Sequence, residues 1–363
     1  MFNDSTIAAL RRDFPYLAQC TYLDSGATGL AAPGTGAAAA RFYDEMQSRG
    51  FDGRPEWMAM RTRVEGELAA LLGVSPDWLD FGSGSTDVLN RAMQAVPVAA
   101  GDRVVLAADE FPSVLAVAQG LDARGAVLDL IDIPDERDRT ARLIAALPGA
   151  RYVAVSHVHW ETGTRVDLAA LSTACRTAGV VLVVDGVHAV GAVPVDAALA
   201  DLYVTSFFKW TMAGFGLGLS VTSPLLRAQM APQQRGYANL APSKLLQPSH
   251  VNYPGLAALE AALKYLTGLG WEAIFERVAL LQRTLADQLR AAGFEVVTPR
   301  DAAAGLVAVK VLDPERWAAD LAKRGIKLSA RGALLRIAPH IYNTQADLDA
   351  CCAALIAIAG NQP

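Results

Sequence analysis

The feature that most constrains the fold is an alternation of short apolar runs with helical periods through the first two thirds of a 363-residue chain. Runs of strand length stand at 79–82, 103–106, 126–131, 152–156, 180–184, 202–205 and 217–222. Between them the apolar residues recur at helical spacing over 57–72, 87–96, 112–124, 137–147 and 168–178. The strand runs are apolar on both faces, so each must be covered on both sides. That predicts an α/β fold with a mainly parallel sheet under helices. The span 231–254 holds Pro232, Pro242, Pro248 and Pro254 and reads as a long ordered loop. Two helical stretches follow, 255–266 and 271–292. The tail reads strand (294–297), strand (306–311), helix (315–324), strand (334–337) and helix (345–359), a compact α+β module. A large domain over 20–254 and a small C-terminal domain over 255–363, joined by residues 1–19, is the expected organisation.

Several strand ends carry chemistry. The run at 180–184 ends at Asp185, and the run at 202–205 leads into Ser206-Phe207-Phe208-Lys209-Trp210, then Gly214, Gly216 and Gly218. In covered α/β sheets, ligands bind beyond the carboxyl ends of the strands. A lysine and an aspartate placed there are the minimum kit for pyridoxal phosphate (PLP): an amine to form a Schiff base and a carboxylate to keep the pyridine nitrogen protonated. Taken alone, Lys209 also reads as a solvated loop lysine. Gly82-Ser83-Gly84-Ser85-Thr86-Asp87 follows a strand and opens a helix, where backbone N–H groups and two hydroxyls suit a phosphate; the plain alternative is an N-cap turn. Phe111, in Asp109-Glu110-Phe111-Pro112-Ser113, fits a ring-stacking position or a place in the core. His188 stands three residues after Asp185, within reach of a cofactor's ring oxygen. Trp160 lies in an aromatic loop with His157 and His159. Arg336, ending the run 333–335, suits a bidentate grip on a substrate carboxylate or an ion pair within the small domain.

Composition narrows the partners. The formal net charge is −5, with no electrostatic footprint for nucleic acid and no block of like charge for a membrane surface. No apolar run approaches the ~20 residues of a membrane span. The opening Met1-Phe2-Asn3-Asp4-Ser5 lacks the order of a signal peptide. The four cysteines, Cys20, Cys175, Cys351 and Cys352, have no metal-ligand spacing and form no disulfide framework, so no metal and a reducing cytoplasm are expected.

Taken in order, these motifs resemble the class V aminotransferase family of fold-type I PLP enzymes, which includes cysteine desulfurases, isopenicillin N epimerase-like proteins and kynureninases. The resemblance begins at Tyr22-Leu23-Asp24-Ser25-Gly26-Ala27-Thr28-Gly29. It continues through Asp185-Gly186-Val187-His188-Ala189-Val190-Gly191 and the Lys209 block, and ends at Leu335-Arg336-Ile337-Ala338-Pro339-His340-Ile341-Tyr342-Asn343-Thr344. It implies that Lys209 forms the Schiff base and moves the substrate's α-proton. Asp185 would pair the pyridinium nitrogen and His188 the ring oxygen. Ser85, Thr86 and Ser206 would hold the phosphate, Phe111 would stack on the ring, and Arg336 would bind the α-carboxylate. His250 and Asn252 resemble the segment that reaches the neighbouring subunit's phosphate, which implies a homodimer with shared active sites. The substrate would be an α-amino acid or amine, with Trp160 beside its side chain. Gly325-Ile326-Lys327-Leu328-Ser329-Ala330-Arg331-Gly332 holds no cysteine before Arg336, so a cysteine desulfurase is not expected. Phe111 stands where desulfurases stack a histidine. Phe208 can donate no hydrogen bond, so the phosphate cup lacks one contact. An aminotransferase- or epimerase-like reaction is the first expectation and a β-eliminating C–S or C–C lyase the second. A non-catalytic scaffold is a distant third.

Overall fold

The computed structural model describes residues 2–240 and 244–360. Eight strands precede the C-terminal helices: β1 (Thr21–Tyr22), β2 (Leu79–Gly82), β3 (Arg103–Ala107), β4 (Val127–Ile131), β5 (Tyr152–Ser156), β6 (Val181–Asp185), β7 (Leu202–Ser206) and β8 (Gly218–Thr222). Seven of them form one sheet in the order β2-β8-β7-β6-β5-β3-β4. Every neighbouring pair from β7 to β4 is parallel; β8 runs against both of its neighbours. The expected covered, mainly parallel sheet is therefore present. Its central strands are buried on both faces: Val153, Val155 and Val184 face one core, and Tyr152, Ala154 and Val183 the other. Two apolar faces demand two helical layers, which is why these strands show no polar alternation.

Four further strands lie in the tail: β9 (Val307–Lys310), β10 (Ile326–Lys327), β11 (Ser329–Arg331) and β12 (Leu334–Ile337). Strands β11-β12-β9 make an antiparallel sheet, and β10 pairs with β1. The helices Trp271–Ala291, Pro314–Lys323 and Gln345–Ala359 cover that small sheet, around a core that includes Leu285, Trp317, Leu335 and Leu355. The strand expected at 294–297 is reduced to a single bridge, Val296 to Val309. The reason is local: the Thr298 hydroxyl accepts the Ala308 N–H at 2.8 Å, so a side chain replaces a ladder bond. The loop expected at 231–254 carries a short 3-10 turn, Tyr237–Asn239. It ends where the Asn252 side chain caps the helix Tyr253–Leu269 by accepting the Gly255 N–H at 3.1 Å.

That helix buries Leu256, Leu259, Leu263 and Leu266 in the same core as Phe42 and Val64 of the helices Thr35–Arg49 and Arg54–Leu72. From this packing we propose a boundary between the two units near Gly270. The N-terminal residues touch both units: Leu10 and Phe14 lie in the large core, while Arg11 pairs with Asp347 of the last helix at 2.6 Å. No helix among the described residues is long and apolar enough to cross a membrane.

The opening segment returns beneath the lysine loop. The Gly29 N–H and the Thr28 hydroxyl both donate to the Phe208 carbonyl, at 2.9 and 3.2 Å. A Cβ on Gly29 would fall 2.0 Å from the Lys209 carbonyl oxygen, so only glycine fits this crossing. Gly29→Ala should therefore destabilise the protein by about 1–3 kcal/mol through overpacking. It should also displace the Lys209 backbone. Urea unfolding of the two proteins checks the first effect; an unchanged midpoint and slope would count against so tight a crossing.

Candidate active site

The carboxyl ends of β2, β3, β5, β6 and β7 open onto one cavity of about 480 Å³. Lys209, His188, Asp185, Phe111, Trp160 and Ser206 all line it. Both strands that carry the central pair run one residue further than the sequence alone indicates, so Asp185 and Ser206 are themselves the last strand residues. Register then matters: Asp185 pairs with Ser156 on one side and Val204 on the other, which fixes the carboxylate at the centre of the sheet's edge.

Lys209 is 8% exposed, and its Nζ lies 2.8 Å from His188 Nε2. The rings of Phe208 and Phe111 have their centroids 5.5 and 6.0 Å from the same nitrogen. Burial, helped by the nearby positive charge of Arg336, pulls the lysine down to about 7. Burial pushes Asp185 the other way, up to about 6, although its carboxylate accepts the Val187 N–H at 2.9 Å. His188 is held well below its ordinary value by burial and by Lys209, so its ring is neutral. Its Nδ1 is buried without a hydrogen-bond partner among the described residues.

The phosphate-like cradle is built where β2 meets the helix Ser85–Ala95. The Ser85 N–H donates to Ser206 Oγ at 2.7 Å, which leaves the Ser206 proton without an acceptor among the described residues. Thr86 donates to Ser113 at 3.0 Å. A Cβ on Gly218 would sit 2.2 Å from the Gly84 backbone, so β8 presses directly on this turn. Phe111 packs edge-on to Trp160, with ring centroids 5.7 Å apart. The Trp160 indole donates to the Asp109 carbonyl at 3.0 Å.

Arg336, on β12, does not itself line the cavity; it meets the cavity wall through Trp160. Its Nη1 donates to the Trp160 carbonyl at 2.7 Å, while Nε is buried without a partner. No carboxylate lies within 4.0 Å of it among the described residues, which disposes of the ion-pair alternative. Burial and the neighbouring Arg331 bring it down to about 10. Gly26 leaves the room: a Cβ there would lie 3.2 Å from the guanidinium carbon.

His250 and Asn252 do not line this cavity. His250 packs edge-on to Tyr237, and Asn252 caps its helix and donates to the Gly216 carbonyl at 3.2 Å. The structure also adds residues that the sequence reading passed over. Glu110 is buried beside Ser156, and Ser113 meets Thr86. A buried glutamate next to Phe111 has no sequence signature, because its partner stands 46 residues away. His157 and His159 are structural: the first bonds the Tyr203 hydroxyl at 3.0 Å and the second the Thr162 hydroxyl at 2.9 Å. Asp109, Glu136 and His159 bring possible ligand atoms within 4.8 Å of one another. Arg139 already fills that cluster, donating to Asp109 at 2.5 Å and to Glu136 at 2.7 Å.

The sequence matches the family described as aminotransferase class-V over residues 21–352. The chain belongs to that family. Its members are PLP-dependent enzymes, and this chain is one of that class. It is 28% identical to an isopenicillin N epimerase of Streptomyces clavuligerus, over 83% of this chain and 85% of the relative. It is 32% identical to a kynureninase of Burkholderia mallei, over 70% of this chain and 64% of the relative. Among solved structures, the cystine C–S lyase C-DES in complex with cysteine persulfide superposes with a TM-score of 0.88 at 23% identity, over 94% and 99% of the two chains. An apo cysteine desulfurase from Thermococcus onnurineus superposes with a TM-score of 0.89 at 20% identity, over 100% and 99%. These last two speak for the fold. A fold shared with both a C–S lyase and a cysteine desulfurase gives no support to the expected exclusion of a cysteine desulfurase, which rested on the missing cysteine at 325–332. The region is the β10–β11 segment, and none of the four cysteines lines the cavity.

The residues present fit PLP. The cavity presents a buried primary amine, a carboxylate at a strand end, an imidazole nitrogen without a partner and a helix N-terminus with spare hydroxyl donors. PLP capture requires the neutral amine, so its rate in the apo protein should climb about tenfold per pH unit below pH 7 and level off above. An ordinary lysine would keep climbing towards 10.5. Stopped-flow absorbance after mixing with PLP separates the two profiles.

Proposed function

We propose that this chain is an aminotransferase- or epimerase-like enzyme that acts on an α-amino acid or amine. The observation that carries the proposal is the buried contact of Lys209 with neutral His188, beside Asp185 and within the field of an Arg336 that has no carboxylate partner. Lys209 would hold PLP covalently, Asp185 would face its ring nitrogen, and His188 Nδ1 would meet its ring oxygen. Ser85, Thr86 and Ser206 would hold its phosphate, and Phe111 would lie against its ring. Bound there, PLP supplies an electron sink that acidifies the substrate's α-carbon.

The chain's own residues do the rest. Arg336 would take the substrate carboxylate through the Nε and Nη edge that the protein leaves free. That fixes the α-carbon relative to Lys209, and the wall of Phe111 and Trp160 sets which side chain fits. Lys209, once released, is a neutral amine near pH 7 because its cation is poorly solvated; it can accept the α-proton. His188 keeps the amine pointed into the cavity. The likeness to an isopenicillin N epimerase over 83% of this chain supports proton return to the α-carbon as one outcome. Expulsion of a β-substituent is the second reading, and product analysis distinguishes it.

A homodimer with shared active sites belongs to the same reading. Phe215, stacked on Phe208 with centroids 4.7 Å apart, is 73% exposed, and Phe51, Tyr237 and Leu240 are exposed as well. His250 and Asn252 lie near this surface and would reach the neighbouring subunit. Light scattering should give twice the 38.4 kDa chain mass; a monomer that turns over would overturn the shared site.

Lys209→Ala should abolish covalent PLP attachment, read by borohydride reduction and mass spectrometry. It should also lower kcat by at least about 10³-fold. Asp185→Ala should keep the attachment and lower kcat by about 10²-fold or more, since a neutral pyridine is a poor electron sink. The decisive assay incubates the holoenzyme with a panel of amino acids and S-conjugated cysteines. Keto acid or inverted substrate supports the proposal. Pyruvate and ammonia would establish the lyase instead. No product and no spectral change with any of them would leave a scaffold.

A further inference from the structure

Glu110 is a carboxylate buried to 2% exposure beside the active site, and no Lys, Arg or His nitrogen lies within 4.0 Å of it among the described residues. Burying a carboxylate without a counter-cation is costly unless donors replace its hydration. Here three do. Oε1 accepts the Ser156 N–H at 3.0 Å, and Oε2 accepts the Ser156 hydroxyl at 2.6 Å and the Phe111 N–H at 3.3 Å. Both oxygens act as acceptors, the bonding pattern of an ionised carboxylate. None of these contacts serves the roles assigned above.

Its location gives the charge a purpose. Ser156 is the last residue of β5 and pairs in register with Asp185, the last residue of β6. Phe111 opens the helix Pro112–Asp122 on the other side of the cavity. One side chain therefore ties the floor of the cavity to its aromatic wall. It also sets a second negative charge near Asp185, whose other charged and titratable neighbours are Lys209, Tyr203 and, from its own loop, His188.

We infer that Glu110 is a positioning residue that acts through Ser156 and Phe111 and sets the electrostatic field in which Asp185 and the bound cofactor hold their protons. The inference rests on the PLP reading of the site. Glu110 does not line the cavity; its effect passes through the residues it holds and through its charge. A negative charge favours protonation of the groups it faces, so removing it should make the cofactor and Lys209 easier to deprotonate.

The test uses reconstituted holoenzyme of the wild type, Glu110→Gln and Glu110→Asp. The pH midpoint of the bound cofactor's absorption band is measured first, and PLP affinity by fluorescence titration of the apo proteins second. Glu110→Gln keeps the shape and loses the charge. Its midpoint should fall by roughly half a unit to one unit, with PLP affinity weakened about tenfold and kcat lowered more than KM is raised. Glu110→Asp keeps the charge, and its midpoint should stay near that of the wild type. A merely structural glutamate would lower the melting temperature in both variants and leave the midpoint unmoved, which overturns the inference. Should Glu110→Gln fail to fold, Ser156→Ala removes one donor and leaves the backbone bond. The carboxylate there keeps its charge and loses the hydroxyl dipole that offsets it, so a small upward shift of the midpoint supports the inference, and no shift overturns it. Wild-type protein without a PLP band would instead defeat the cofactor reading itself, an outcome distinct from either.

Discussion

The chemistry we propose for this protein depends on keeping one amine out of water. Lys209 leaves the end of β7 and turns into a cavity walled by Phe208 and Phe111, where its cation is poorly solvated. Burial of a lysine is unfavourable in itself, and the surrounding structure has to hold it there. The opening segment does so from below, through Gly29 and Thr28 on the Phe208 carbonyl. His340 does so from behind, with Nε2 3.1 Å from the Trp210 carbonyl. His188 does so from within the cavity, at 2.8 Å from the nitrogen itself. An amine placed this way is a base near neutral pH, which a solvated lysine is not.

The second requirement is that the two units meet at the site. Arg336 belongs to the small sheet, yet its guanidinium donates to the Trp160 carbonyl of the large unit. The helix Trp271–Ala291 runs through both cores: Ile274 and Val278 pack in the large one, Leu281 and Leu285 in the small one. Thr298 adds a further tie, donating to the Thr162 carbonyl at 2.6 Å. The arginine is therefore carried on a braced hairpin, and its position relative to Lys209 is set by helix packing rather than by any local turn.

Much of this is legible in the chain. The covered parallel sheet follows from strands that are apolar on both faces, and the positions of Asp185, His188 and Lys209 follow from where those runs stop. Other parts are not legible. The β11–β12 hairpin that carries Arg336 shows no strand period at 329–331, because Ser329, Ala330 and Arg331 are only half buried. The 294–297 segment looks like a strand, and the Thr298 hydroxyl prevents it from being one. The helix at 253–269 reads as part of the tail by sequence order, while its apolar face packs on the helices at 35–49 and 54–72.

The sequence by itself determined the fold class, the order of the candidate site residues and the membership of the class V family. These rest on periodicity and on motifs that are local in the chain. Only the tertiary structure decided what each group is worth. Whether Lys209 is a base, whether Arg336 is already paired and whether Glu110 is solvent-exposed depend on burial and on charges tens to hundreds of residues away. Desolvation and Coulomb energies are functions of distance in space, and chain separation does not encode them.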